Sequence, residues 1–308
     1  MHGISSKILG DKSKDKKFLE IVSAYDVVGI SELHTNNYIS IPGFISKKQK
    51  FRTKKHRGPK IGGGIAVFVK HNIADNFKLI PSDDVDSIWI KTFVGTNETR
   101  IGFFYCSPEN EGSTFLINTV SSQIEKHSNG HNTYIFGDFN ARTKTVCENI
   151  SYDKSDDFLG VENRLESIPL SRNSEDMKLV NKRGNEFLDV CRINDLSIAN
   201  GRITGDLFGK YTCHQKRGSS VVDYLLTPCR NLNNIVEFKV GENLPLLSDH
   251  CPITATIRMN HNLKVEEGHI SMEPLPDSYI WDEESSQTFQ ERLSHNDFKT
   301  KVDNLLLR

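Results

Sequence analysis

The stretch Thr133-Tyr134-Ile135-Phe136-Gly137-Asp138-Phe139-Asn140-Ala141-Arg142 organises the reading of this chain. Its first four residues are β-branched or apolar and aromatic and read as a buried strand; Gly137 marks the end of that strand and Asp138 puts a carboxylate there. Alone, such an aspartate is most simply a turn former or a helix cap. Three further acidic residues share its context. Glu32 follows the apolar run Val27–Ser31, Asp223 interrupts Val221–Leu226, and Asp249 precedes a strand that starts near Pro252. Four carboxylates at the rims of apolar strands are costly unless something pairs with them, and a divalent cation is the economical partner. All-oxygen coordination suits Mg²⁺, Mn²⁺ or Ca²⁺, and Mg²⁺ typically keeps waters and a substrate phosphate, which points to phosphoryl chemistry. His250 adjoins Asp249. A lone histidine is usually structural or exposed, but an imidazole oriented by a carboxylate can donate a proton or a hydrogen bond to a phosphate oxygen.

Outward from this stretch, Phe18, Leu19, Val22 and Tyr25 recur at helical spacing and predict a helix over 15–25 that feeds a buried strand at Val27–Ile30. Further strands are predicted at Ile65–Val69, Ser87–Phe93, Arg100–Cys106, Val221–Leu226, Ile235–Val240 and Ile253–Ile257. Ser113 is placed to cap a helix that aligns Leu116, Val120 and Ile124, and Gly184–Asp195 groups Phe187, Leu188 and Cys191 similarly. The class is α/β or α+β with extensive sheet. Residues 143–182 are polar and aperiodic, a long excursion of the kind that often carries function. After Arg258 the β-rich pattern stops, so a boundary is expected near 259, ahead of a polar linker and an acidic helical stretch around Trp281–Leu293.

With 308 residues, 36% hydrophobic and 26% charged, the chain has the profile of a soluble globular protein and the length to bury a core without staples. No window approaches the roughly 18 to 20 apolar residues of a membrane span. The start, Met1-His2-Gly3-Ile4-Ser5, lacks the apolar core of a secretory signal, so the expected location is intracellular, in nucleus or cytoplasm. Six widely spaced cysteines form no Cys-x-x-Cys pair, and reduced thiols are expected.

The net charge of −1 conceals an uneven distribution. Between Glu32 and Asp75 there is no acidic residue, while nine lysines and arginines fall in that interval, among them Lys54, Lys55 and Arg57. Residues 259–308 carry 10 acidic against 5 basic side chains, which leaves 34 basic against 30 acidic in 1–258. Three readings of Lys47–Lys60 stand side by side: a solvated mobile loop, a phosphate-backbone contact, and a nuclear localisation signal.

Taken in chain order, Ile30-Ser31-Glu32, Gly62-Gly63-Gly64-Ile65-Ala66-Val67, Tyr105-Cys106-Ser107-Pro108, Gly137–Arg142, Ser220-Val221-Val222-Asp223-Tyr224 and Ser248-Asp249-His250-Cys251-Pro252 resemble the endonuclease/exonuclease/phosphatase superfamily. Within it they are most similar to the apurinic-type endonuclease domains of non-LTR retrotransposons. That resemblance implies a four-layer α/β (α+β) sandwich, two mixed β-sheets packed face to face and flanked by helices, with the site at one rim. It implies Mg²⁺, or Mn²⁺, as cofactor, with Glu32 the metal-binding glutamate and Asp249 the aspartate near the metal. Asp138 would position or deprotonate the attacking water, and Asn140 would hold the phosphate and the developing oxyanion. Tyr105 would contact the scissile phosphate, and His250, oriented by Asp223, would stabilise the pentacovalent transition state. Ser220 would add a phosphate contact, and the basic segment with Lys54, Lys55 and Arg57 would meet the DNA backbone.

Such domains nick DNA and leave a 3′-hydroxyl that primes reverse transcription. Tyr279-Ile280-Trp281-Asp282-Glu283-Glu284 resembles the connector to a reverse transcriptase, whose aromatic-x-Asp-Asp motif this chain lacks. Members of the superfamily open with a strand ending in an asparagine that supports the metal site. Met1 falls after that point, so the domain, 1–258, is expected to lack its first strand, as a truncated copy or an incomplete gene model. Two other readings stand beside DNA nicking: a metal-dependent phosphatase acting on a small-molecule or lipid phosphate, and a non-catalytic remnant that binds nucleic acid.

Overall fold

The computed structural model describes residues 12–51, 63–82, 84, 86–94, 97–107, 116–128, 130–148 and 171–259. At its front, Asp15 caps helix α1 (Lys16–Ser23) by accepting from the backbone N–H groups of Lys17 and Phe18 at 2.9 and 3.1 Å. Those are two of the donors that every helix N-terminus leaves without an internal partner. The chain then runs through β1 (Val27–Ser31), β2 (Phe44–Lys50), β3 (Ile65–Lys70), β4 (Lys78–Ile80), β5 (Ser87–Val94) and β6 (Asn97–Tyr105). A π-helical turn, Leu116–Val120, leads into α2 (Ser121–Ser128) and β7 (Asn132–Asp138). Helix α3 (Lys182–Ile193) precedes β8 (Leu196–Ile198), the hairpin β9 (Cys213–Gln215) and β10 (Gly218–Ser220), then β11 (Asp223–Pro228), β12 (Ile235–Val240) and β13 (Ile253–Ile257).

The strands assemble into a six-stranded sheet in the order β4-β5-β6-β7-β11-β8, a three-stranded sheet β1-β3-β2, and the pairs β12-β13 and β9-β10. In the large sheet β6 and β7 are parallel and the other pairs antiparallel, so the sheet is mixed; α2 lies in the crossover that a parallel pair requires.

Side-chain alternation builds the layers. Phe18 and Val22 of α1 pack on Val28, Ile30, Ala66 and Phe68. The other face of β3, Ile65, Val67 and Val69, meets Ile88, Ile90, Ile101 and Phe103 of the large sheet. Trp89, between Ile88 and Ile90, points the opposite way with Phe104 and Ile135, against Leu116, Val120 and Ile124 and against Phe187 and Leu188 of α3. Helix, sheet, sheet, helices is the four-layer sandwich expected. Burying each such aliphatic or aromatic side chain contributes about 1.5–3 kcal/mol.

Several local readings change. The strand expected at Val221–Leu226 begins at Asp223, because Val222 and Asp223 both donate their backbone N–H groups to Thr212 Oγ1, at 3.0 and 3.1 Å, rather than to a ladder. The front of the basic segment is not a solvated loop. It is strand β2, with Lys47 Nζ on the Ala74 carbonyl at 2.6 Å and Lys50 Nζ on the Ser82 and Ser87 carbonyls at 2.9 and 2.8 Å. Its lysine-rich sequence hides the strand because an edge position needs little apolar surface and tolerates charge. Ser113, Lys54, Lys55, Arg57 and much of the 143–182 excursion lie outside the described residues.

Two compact units divide the chain, Met1–Glu266 and Glu267–Arg308, and every described residue belongs to the first. The expected helical stretch at Trp281–Leu293 lies outside the described residues. All six cysteines are free thiols, and no described helix is long and apolar enough to cross a membrane.

Candidate active site

Three neighbouring strands of the large sheet deliver their functional residues in one row. Tyr105 ends β6, opposite Asp138 at the end of β7, and Asp138 stands opposite Asp223 at the start of β11. A row of this kind follows from register alone once the strands pair. The fourth member comes from the loop ahead of β13, tied to β9 by a bridge between Cys213 and His250. His250 Nδ1 lies 2.8 Å from Asp223 Oδ2, and its backbone N–H donates to Ser248 Oγ at 3.0 Å.

Asp138 is buried, and its carboxylate is held from both sides by one residue. Oδ1 accepts from the backbone N–H of Asn140 at 2.9 Å, and Oδ2 accepts from Asn140 Nδ2 at 2.8 Å. The same Nδ2 donates to the Cys106 carbonyl at 3.0 Å. Asn140 reaches this pose at φ 51°, a left-handed conformation that side chains other than glycine adopt at a cost. As the site stands, Asn140 therefore orients Asp138, with both of its amide contacts directed to protein oxygens.

Glu32 follows β1, also at a left-handed φ of 52°. The Tyr105 hydroxyl donates to its Oε1, and His34 Nε2 lies 3.2 Å from its Oε2. Burial, then the Glu32 carboxylate, push the Tyr105 phenol well above its ordinary range, so it stays a donor at every physiological pH. Asp249 is exposed and accepts from Gln215 Nε2 at 3.1 Å.

Burial by itself would strip the proton from His250, but the Asp223 carboxylate, with help from Cys213 and Asp138, reverses this and pushes the imidazole up to about 12. At neutral pH the ring is a cation, a hydrogen-bond donor and no base. Asp138, Asp223 and His250 bring ligand atoms within 4.8 Å of one another, and Cys213, Asp249 and His250 do the same. With Glu32 joined to the row through Tyr105, the site offers chiefly carboxylate oxygens, a donor set that fits a hard divalent cation such as Mg²⁺ or Mn²⁺.

Six of the expected residues are thus gathered at one rim: Glu32, Tyr105, Asp138, Asn140, Asp223 and His250. Asp249 joins them at the outer side of His250. Ser220 is buried at the end of β10, paired across the hairpin with Cys213.

Sequence reasoning missed the supporting residues. Asp176, almost fully buried, accepts from Arg142 Nη1 at 2.9 Å and from the Val221 N–H at 3.1 Å, so it ties the loop after Asp138 to the segment before Asp223. Thr212 pins the same segment, and Asn200 Nδ2 donates to the Asp223 carbonyl at 3.0 Å. Each is a polar residue in a polar stretch, and only its long-range partner distinguishes it.

The sequence pattern of the Endonuclease/Exonuclease/phosphatase family matches residues 1–250. Among solved structures, the chain is similar to the endonuclease domain of TRAS1, a telomere-specific non-LTR retrotransposon, at 17% identity and a TM-score of 0.51, over 83% of this chain and 95% of that one. The AP endonuclease LMAP from Leishmania major aligns at 12% identity and a TM-score of 0.55, over 83% and 86%. The 3′ phosphatase NExo from Neisseria, bound to a product DNA hairpin, aligns at 14% and 0.51, over 83% and 98%. At such identities the likeness is one of fold. No curated protein sequence matches the chain.

Proposed function

The chain belongs to the endonuclease/exonuclease/phosphatase family, and on that premise we propose that it is a divalent-metal-dependent phosphodiesterase that nicks DNA, of the retrotransposon type, acting in the nucleus or cytoplasm. One observation carries the reading: a buried carboxylate held for proton acceptance, Asp138, stands within a few ångströms of an imidazole held as a cation, His250. A base and an electrophile side by side suit in-line attack of water on a phosphodiester.

In this reading Asp138 orients the water and takes its proton, its own lone pairs aimed by the two Asn140 donors. His250, fixed by Asp223, donates to a non-bridging phosphate oxygen as charge grows there, while the Tyr105 hydroxyl, donating to Glu32 Oε1, holds that carboxylate in place beside the phosphate. Glu32 and Asp249 would hold Mg²⁺ or Mn²⁺, which when bound supplies neutralising charge next to the phosphate. The body, 1–258, would carry the chemistry and 259–308 the connector towards a polymerase. Support for a DNA substrate comes from the fold shared with a retrotransposon endonuclease, an AP endonuclease and a DNA-bound phosphatase, together with the acid-free basic interval.

Supercoiled plasmid tests this directly. In Mg²⁺ the purified chain is expected to yield open circles, EDTA to stop the reaction, and Asp138→Asn or His250→Ala to slow it by at least about 100-fold, the lower end of what a general acid or base contributes. Equal nicking by all three proteins would refute the assignment. Phosphate release from a 3′-phosphorylated oligonucleotide without nicking would move it to the phosphatases.

A further inference from the structure

One hydroxyl behind the site touches both of the segments that build it. Tyr224 follows Asp223 in β11, and strand alternation turns its side chain to the other face of the large sheet, into the core shared with α3. There its ring centroid lies 4.9 Å from that of Phe187 and 6.4 Å from that of Phe139. The side chain is fully buried, and its hydroxyl donates to the Ala141 carbonyl at 2.8 Å and to the Val221 carbonyl at 2.7 Å. Ala141 adjoins Asn140, and Val221 stands two residues before Asp223. One side chain therefore ties the loop that aims Asp138 to the segment that delivers Asp223.

Proton accounting gives that hydroxyl a direction. Arg172 Nη2 donates to Thr143 Oγ1 at 2.6 Å, and a guanidinium can only donate. Thr143 Oγ1 in turn lies 3.1 Å from the Tyr224 oxygen. If Tyr224 gave its proton to Thr143, both carbonyls would meet a bare oxygen at hydrogen-bond distance. The arrangement that serves all four oxygens runs from Arg172 to Thr143, from Thr143 to Tyr224, and from Tyr224 to the carbonyls. Arg172 is itself held in place, buried with its Nε 3.5 Å from the buried carboxylate of Glu148.

We propose, resting on the catalytic reading of Asp138 and His250, that Tyr224 is a positioning residue: its hydroxyl sets the spacing between the Asp138–Asn140 loop and the Asp223–His250 pair, and Arg172 with Thr143 directs its proton to that task. Phenylalanine would fill the same space in the core and leave both carbonyls without this donor. Displacement of a catalytic group by about 1 Å can cost about 100-fold in rate.

Variants of the full chain test the latch by rate and by hydrogen exchange. Tyr224→Phe is expected to lower kcat on supercoiled plasmid at least about tenfold with KM held within about twofold, because positioning acts on the reacting geometry and not on substrate binding. It is also expected to speed exchange at the Asn140 N–H, which bonds Asp138 Oδ1, at least about tenfold, while slow exchange across β5–β7 verifies the fold. Thr143→Val is expected to shift both readouts in the same direction, and Thr143→Ser to restore them. In an Asn140→Ala background Tyr224→Phe is expected to cost little more, since it acts through that loop. The proposal is overturned if Tyr224→Phe keeps the wild-type kcat, if the loss appears in KM instead, if the Asn140 N–H exchanges unchanged, or if the loss is as large in the Asn140→Ala background. A wild-type chain that leaves the plasmid intact in Mg²⁺ would refute the proposed function instead, and exchange at Asn140 would still decide whether Tyr224 holds the loop.

Discussion

At the residue scale, the His250–Asp223 pair decides which group would serve as acid and which as base in the proposed mechanism. In an unfolded chain an imidazole titrates near its ordinary value of about 6.5. Here the folded-state value is pushed up to about 12, so the proton is bound more tightly after folding. The stabilisation is fully present below about pH 6.5 and is lost as pH rises towards 12. Two outcomes follow. In ¹⁵N-edited spectra at pH 8, His250 is expected to carry protons on both ring nitrogens, whereas in Asp223→Asn it is expected to be neutral. In urea titrations the stability gap between wild type and Asp223→Asn is expected to narrow between about pH 7 and pH 10. A neutral His250 in the wild-type spectrum would return it to the candidates for general base.

At the element scale, α3 supports the loop after Asp138 from outside the candidate site. Its cap residue Asn181 accepts at Oδ1 from the Gly184 N–H at 2.7 Å and also from the Arg142 N–H at 3.2 Å, so one side chain starts the helix and anchors the segment after Asn140. Asn181→Ala is expected to lower stability by about 1–2 kcal/mol in urea melts, with Asn181→Asp restoring most of it. Gly184 offers a sharper contrast. Helix propensity says that alanine there should stabilise by about 1 kcal/mol. A Cβ on Gly184 would stand 1.8 Å from the Arg142 carbonyl oxygen, a contact that backbone must yield to relieve. Gly184→Ala is therefore expected to destabilise by about 1–3 kcal/mol, the usual toll of overpacking, and to slow the proposed nicking by shifting Asn140. A stabilised variant with full activity would show that the loop gives way freely.

At the scale of the whole molecule, Glu32, Asp138, Asp223 and Asp249 are delivered to one rim of a layered apolar sandwich, Asp138 and Asp223 with His250 close enough to share an ion. Asp138 and Asp223 face each other across a ladder, Glu32 joins them through the Tyr105 hydroxyl, and Asp249 stands beside His250. A cation that binds only the folded rim stabilises it by mass action, about 2.7 kcal/mol at a hundredfold excess over its dissociation constant. Millimolar Mg²⁺ or Mn²⁺ is expected to raise the melting temperature by several degrees at constant ionic strength, and Glu32→Gln to abolish most of the rise. A rise of the same size in Glu32→Gln would place the ion elsewhere.

Much of this was legible in the order of residues. Short β-branched runs ending in a carboxylate named the strands and the rim, because a buried strand needs apolar side chains and its end is where a charge can reach solvent or a ligand. Glu32, Asp138 and Asp223 stand out that way, and His250 through its neighbour Asp249. The edge strand β2 and the supports Asp176, Thr212 and Asn200 escaped, since a polar residue becomes structural only through a partner distant in the chain. Only the tertiary structure decided that Asn140 aims Asp138 and that His250 is held as a cation. Each depends on distances across paired strands or on burial, and neither is a property of any segment taken alone.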